Sequence, residues 1–144
     1  KADRIDVMQD GGVEIIDYKT GNYPSIGSVN KLDSPQLPLE AAMVMDGSFE
    51  GIGALDVNDL TYIRLRPNGE FSVEPVSASR QAKPVHQLAQ GAIDKLTQQI
   101  EAYRDPKKTY VSKARPIRDE PWQGDYDHLA RVREWSIAGE GDEE

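Results

Sequence analysis

The chain has 144 residues, of which 38% are hydrophobic and 29% charged, a balance that suits one globular domain with a modest core. It contains no cysteine, which excludes disulfides, thiolate-bound zinc and a cysteine-ligated iron–sulfur cluster within this segment. Its formal net charge of −8 argues against a general nucleic-acid-binding surface, so any such contact must come from a local basic patch, a partner or bound cations.

Arg4-Ile5-Asp6-Val7-Met8 reads as a strand, Gln9-Asp10-Gly11-Gly12 as a turn, and Val13 to Lys19 as the return strand, so the chain opens with a β-hairpin. Successive strand side chains point to opposite faces, so Asp17 and Lys19 share one face and Tyr18 points away. An acid and a lysine at the end of a buried strand suit metal-assisted phosphodiester cleavage. The carboxylate holds a divalent cation, and the ammonium steadies charge on the attacked phosphate. The plainer reading is a salt-bridged strand end on the surface. A three-residue loop of Asp10, Gly11 and Gly12 brings Asp3 to the face of Asp17 and Lys19, whereas a two-residue loop brings Asp6. Both acids are candidates from geometry.

Thr20 to Lys31 is rich in Gly, Ser, Asn and Pro and reads as a loop. A helix follows over Gln36 to Met45, with Asp33 or Ser34 as its cap, Pro38 near its start and Gly47 after its end. Leu39, Ala42 and Met43 form an i, i+3, i+4 stripe, and Gln36 lies one turn before Glu40. Leu60 to Arg66 is a strand, Pro67-Asn68-Gly69 a hairpin turn, and Glu70 to Glu74 the return, which Pro75 confines to a sheet edge or end. The longest helix runs from Pro84 to Tyr103, with Val85, Leu88, Ala92, Leu96, Ile100 and Tyr103 facing a core. His86 and His128 are too far apart in the chain to suggest a metal pair.

Arg104, Lys107, Lys108, Lys113, Arg115 and Arg118 stand against a single acid, Asp105, and read either as a solvated loop or as a patch that tracks phosphates, with Tyr110-Val111-Ser112 a short strand inside it. In the closing segment Leu129, Val132 and Trp135 share a helical face. Residues 137–144 read as an acidic, disordered tail. No apolar run reaches membrane-spanning length, so no membrane partner is expected and a cytoplasmic setting is.

Taken in order, Asp3-Arg4-Ile5-Asp6, Ile16-Asp17-Tyr18-Lys19-Thr20-Gly21 and Pro35-Gln36-Leu37-Pro38-Leu39-Glu40 resemble the RecB-type branch of the PD-(D/E)XK nucleases. Gly124 to Ser136 is similar to the carboxyl end of the AddB subunit family of bacterial AddAB helicase–nucleases, so the resemblance spans residues 1–136. It implies an α/β fold: a mixed sheet flanked by helices, the later part of a restriction-endonuclease-like core whose first helix and strand lie upstream of this sequence. It implies a Mg²⁺-dependent DNA exonuclease domain, with Mn²⁺ as a substitute, that serves double-strand-break repair and recombination. Asp3, Asp17 and the Tyr18 carbonyl would hold the metal, Lys19 would be the catalytic lysine, and Gln36 would orient substrate or the lysine. Asp6 would be a supporting acid. The implied partners are single-stranded DNA and a helicase subunit of AddA type. Glu40 departs from the family by standing where Q-x-x-x-Y has tyrosine. The rival reading is a non-catalytic nuclease-fold module that binds DNA and docks a helicase.

Overall fold

The turns set the register. In the computed structural model, which describes residues 2–108, β1 (Arg4–Val7) pairs antiparallel with β2 (Val13–Lys19). Their loop is Gln9-Asp10-Gly11. The Met8 amide donates to the Gly12 carbonyl at 2.8 Å, and the Gly11 amide donates to the Met8 carbonyl at 3.0 Å. The expected loop of Asp10, Gly11 and Gly12 therefore stands one residue too late. The last position of a three-residue loop is left-handed, and Gly11 fills it with φ 85°, while Asp10 Oδ1 accepts from the Gly12 amide at 2.9 Å. The correction slides the pairing by two residues, to Arg4 opposite Ile16 and Val7 opposite Val13. Because side-chain direction has a period of two, the faces are unchanged: Asp3, not Asp6, shares the side of Asp17 and Lys19.

β2 runs parallel to β3 (Val57–Leu65), which places Asp17 beside Tyr62 and Lys19 beside Arg64. β3 turns back through Pro67-Asn68-Gly69, with Gly69 at φ 83°, into antiparallel β4 (Phe71–Pro75). The result is a mixed four-stranded sheet in the order β1-β2-β3-β4. β4 is an edge strand, where the missing N–H of Pro75 costs no ladder bond.

The parallel pair needs a crossover, and it carries two helices. α1 (Ile26–Asn30) lies within the segment read as a loop. Ser25 caps it by accepting from the Ser28 amide at 3.2 Å, and a fully buried Val29 anchors it. Helices this short owe their existence to packing rather than to a periodic pattern. α2 (Gln36–Met45) has the expected bounds, but Pro35 is its N-cap and makes no side-chain bond, so neither Asp33 nor Ser34 caps it. The Leu39 amide donates to the Pro35 carbonyl at 2.9 Å, so Pro38 sits in the first turn where its missing N–H costs nothing.

The face α2 buries also differs from expectation. Leu37, Ala41 and Val44 are fully buried, whereas Met43 is 40% exposed. The helix is apolar on more than one stripe, and the sheet takes the i, i+4, i+7 set rather than Leu39, Ala42 and Met43. These residues join Val13, Ile15, Leu60 and Tyr62 of the sheet, Val29 of α1, and Leu88 and Ala89 of α3 (Val85–Arg104) in one core. Only the first half of the expected stripe on α3 is buried: Leu88 and Ala92 are covered, but Leu96, Ile100 and Tyr103 are exposed. A helix of 20 residues is about 30 Å long and overruns the elements it packs on. The Lys95 ammonium marks the limit by donating to the Lys31 and Leu32 carbonyls at 3.0 Å each.

The chain divides into two units, Lys1–Glu101 and Ala102–Glu144, and the sheet, α1 and α2 lie in the first. Of the basic run, only Arg104, Lys107 and Lys108 fall among the described residues. Its remainder, the strand at Tyr110-Val111-Ser112, the closing segment with His128 and the acidic tail lie outside them. No helix among the described residues is long and apolar enough to cross a membrane.

Candidate active site

The site forms where the carboxyl-terminal ends of β2 and β3 face the first turns of α2. Asp17 occupies the core-facing side of β2 and is 2% exposed. The Lys19 ammonium lies 2.8 Å from Asp17 Oδ2 as an ion pair. It also donates to Gln36 Oε1 at 3.4 Å, and Gln36 Nε2 donates to Glu40 Oε1 at 3.5 Å, one helical turn further along α2. A continuous line thus runs Asp17–Lys19–Gln36–Glu40, from the middle of the sheet to the crossover helix. Asp3 lies just before the β1–β2 ladder begins, and its Oδ2 accepts from the Tyr18 amide at 3.2 Å, between Asp17 and Lys19 in the chain.

Asp6 stands apart from this line. It grips Arg4 through two bonds of 2.7 Å each, and Arg4 also donates to the Tyr18 hydroxyl at 3.2 Å. The hydrogen bond to Asp6, then that to Tyr18, raises the arginine above its ordinary pKa. Asp6 therefore belongs to a surface ion pair on the other face of the hairpin.

Two further residues enter the site to which the sequence reading gave no role in it. Glu40 is only 8% exposed, and its Oε2 accepts no hydrogen bond. Burial raises its carboxyl above the ordinary glutamate value, the Gln36 amide opposes that shift, and the charges of Asp17 and Asp3 add to it. Tyr62 stands beside Asp17 in the parallel ladder, and its ring stacks on Tyr23 at 6.1 Å. Its hydroxyl is pushed up to about 12, by burial first and then by Asp17 and Glu40, so it is a neutral phenol near neutral pH. The sequence held a signal for Glu40, which follows Gln36 by one turn. Tyr62 carried none, because its place depends on the register between strands distant in the chain.

Glu40 makes stability pH-dependent in a defined direction. An acid whose pKa is higher folded than unfolded binds more protons in the folded state, so stability falls as pH rises from the ordinary glutamate value of 4.5 toward the raised one. Glu40→Gln is therefore expected to gain stability over the parent at pH 8 and none at pH 4. Urea midpoints measured in chelator at the two pH values check this.

The donor set is made of hard oxygens. Asp17 Oδ2 is buried with the Lys19 ammonium 2.8 Å away, and a carboxylate so placed keeps further lone pairs that a cation can use. Asp3, Asp17 and the Tyr18 carbonyl suit Mg²⁺ or Mn²⁺, which take oxygen ligands and keep several waters. Among the described residues no group of three His, Cys, Asp or Glu side chains gathers as a self-sufficient cage.

Residues 1–123 match the PD-(D/E)XK nuclease superfamily, and the mixed sheet flanked by helices is consistent with that fold. The chain belongs to the PD-(D/E)XK nuclease superfamily. Over 56 residues it is 34% identical to a protein of Rickettsia conorii (strain ATCC VR-613 / Malish 7) called uncharacterized protein RC0550, a stretch that is 39% of this chain and 7% of that protein. The chain thus spans a small part of the curated relative it matches. No solved structure matches it.

Proposed function

We propose that this chain is a DNA nuclease domain that hydrolyses phosphodiester bonds with the help of a divalent cation. The observation that carries this reading is the buried Asp17 carboxylate held 2.8 Å from the Lys19 ammonium at the end of β2, with Asp3 on the same face of the hairpin.

Asp17, Asp3 and the Tyr18 carbonyl would hold Mg²⁺, or Mn²⁺ in its place. Bound there, the cation would polarise the phosphate and offset its charge. Lys19 brings a positive charge to the phosphate oxygens, where negative charge accumulates as water attacks phosphorus. Gln36 holds the lysine by its carbonyl oxygen and is held in turn by Glu40. Tyr62 and the core beneath it keep the inner side of Asp17 dry. The finer assignment rests on the motif order and on the closing segment: an exonuclease of AddB type that receives single strands from an AddA-type helicase during double-strand-break repair and recombination. A helicase partner would deliver DNA to a chain whose own net charge is −8.

Metal removal is the test. The full-length protein is expected to degrade an end-labelled single-stranded oligonucleotide in Mg²⁺ or Mn²⁺, to stop in chelator, and to recover when either ion is returned. Binding of the oligonucleotide with no cleavage in either ion would overturn the reading in favour of a DNA-guiding module.

A further inference from the structure

An acidic chain that handles DNA must meet the phosphate backbone with particular cations. Apart from Lys19, several basic side chains of the first unit are engaged away from the site: Arg4 with Asp6, Arg66 with Glu70, and Lys95 with Asp33 and two carbonyls. Arg64 differs. It is half-buried, its Nε is shielded from solvent, and its side chain makes no hydrogen bond or ion pair among the described residues.

Its position gives this meaning. In the parallel ladder Arg64 stands beside Lys19, as Tyr62 stands beside Asp17. Arg64 follows Tyr62 by two residues on β3, so it projects from the same face as Tyr62, Asp17 and Lys19. Its neighbour on the other side, in β4, is Ser72, which carries no charge. Shielding part of a guanidinium without giving it an acceptor costs free energy that a bound anion returns. A guanidinium presents its donors as a flat fork that fits two oxygens of one phosphate. Neighbouring strands lie about 4.8 Å apart, so the backbone places Lys19 and Arg64 side by side at the ends of β2 and β3.

We propose that Arg64 binds a backbone phosphate beside the one that Lys19 addresses, so that the ends of β2 and β3 form a two-cation clamp on the strand being cut. The choice of ligand rests on the nuclease reading above.

The test is binding without cleavage. The full-length protein is titrated in chelator with a fluorescent single-stranded oligonucleotide across a range of salt concentrations. Arg64→Met is expected to weaken binding about tenfold and to lower the slope of log affinity against log salt by about 0.7, the share of one phosphate on a single strand. Arg64→Lys keeps the charge but loses the fork, so it should keep the slope and bind a few-fold more weakly. Arg66→Met removes an exposed charge already paired with Glu70 at 3.4 Å and should bind within about twofold of the parent. Thermal melting shows whether Arg64→Met is folded; if it is not, Arg64→Lys decides. Parent-like affinity and slope in the folded Arg64 variants would overturn the clamp, even in a protein that cleaves DNA. A protein that never cleaves but loses binding on Arg64→Met would overturn the nuclease reading and leave the phosphate contact standing.

Discussion

Lys19→Ala is expected to slow cleavage of single-stranded DNA in saturating Mg²⁺ by at least about a hundredfold, and Asp17→Asn by about a thousandfold or more. The first figure follows from removing one charged donor aimed at developing negative charge, which costs about 10²–10³ in rate. The second reflects loss of a ligand charge on top of a disturbed lysine. The two variants also separate chemistry from folding. Removing Lys19 strips the ion-pair partner from a carboxylate that is 3% exposed, and leaving a buried charge unpaired is strongly destabilising. Asp17→Asn keeps the shape and leaves behind a lysine that is 32% exposed and can be hydrated. Lys19→Ala should therefore lose both activity and stability, while Asp17→Asn loses activity and stays folded. Single-turnover cleavage rates, read beside urea melts in chelator, check the pair. Parent-like cleavage by folded Asp17→Asn would remove the chemistry from this site.

Leu37→Ala is expected to cost about 3 kcal/mol of stability, within the 2–5 kcal/mol seen for large-to-small changes in packed cores. Leu37 is fully buried, between the sheet and α2, and the residue before it is Gln36. Against a global stability of about 5–15 kcal/mol, this loss is a large fraction. Met43→Ala, at a position 40% exposed on the same helix, should cost under about 1 kcal/mol. Denaturant midpoints for the two variants test which stripe of α2 faces the core. Equal losses would contradict the packing described here.

The comparison between stripes shows how far the sequence carries. The bounds of α2, the turn at Pro67-Asn68-Gly69 and the edge position of β4 were legible because each is fixed locally: by prolines, by a glycine that takes positive φ, and by alternation. The motif order pointed to the superfamily and to Asp3, whereas hairpin geometry alone left Asp3 and Asp6 open until the loop itself was seen to hold three residues. What was not legible depended on partners far along the chain. Leu39 and Met43 are as apolar as Leu37 and Val44, and only the sheet decides between them. α1 hides in a segment whose composition reads as loop, because one buried valine does not make a pattern. Glu40 could be noticed but not weighed, since a glutamate in the first turns of a helix is ordinarily solvated. Tyr62 and Arg64 join the site only through parallel pairing, which leaves no local trace in sequence.

That pairing has a consequence for how the molecule comes together. Each hairpin closes over a short stretch and brings its own share of the machinery: Asp3, Asp17 and Lys19 in one, Tyr62 and Arg64 in the other. Gln36 and Glu40 ride on the connection between them. Contacts between distant parts of a chain form slowly, because the intervening segment must first surrender its freedom. The working centre therefore lies on the seam of two quickly made halves. Anything that separates β2 from β3 would take the centre apart while leaving each turn intact.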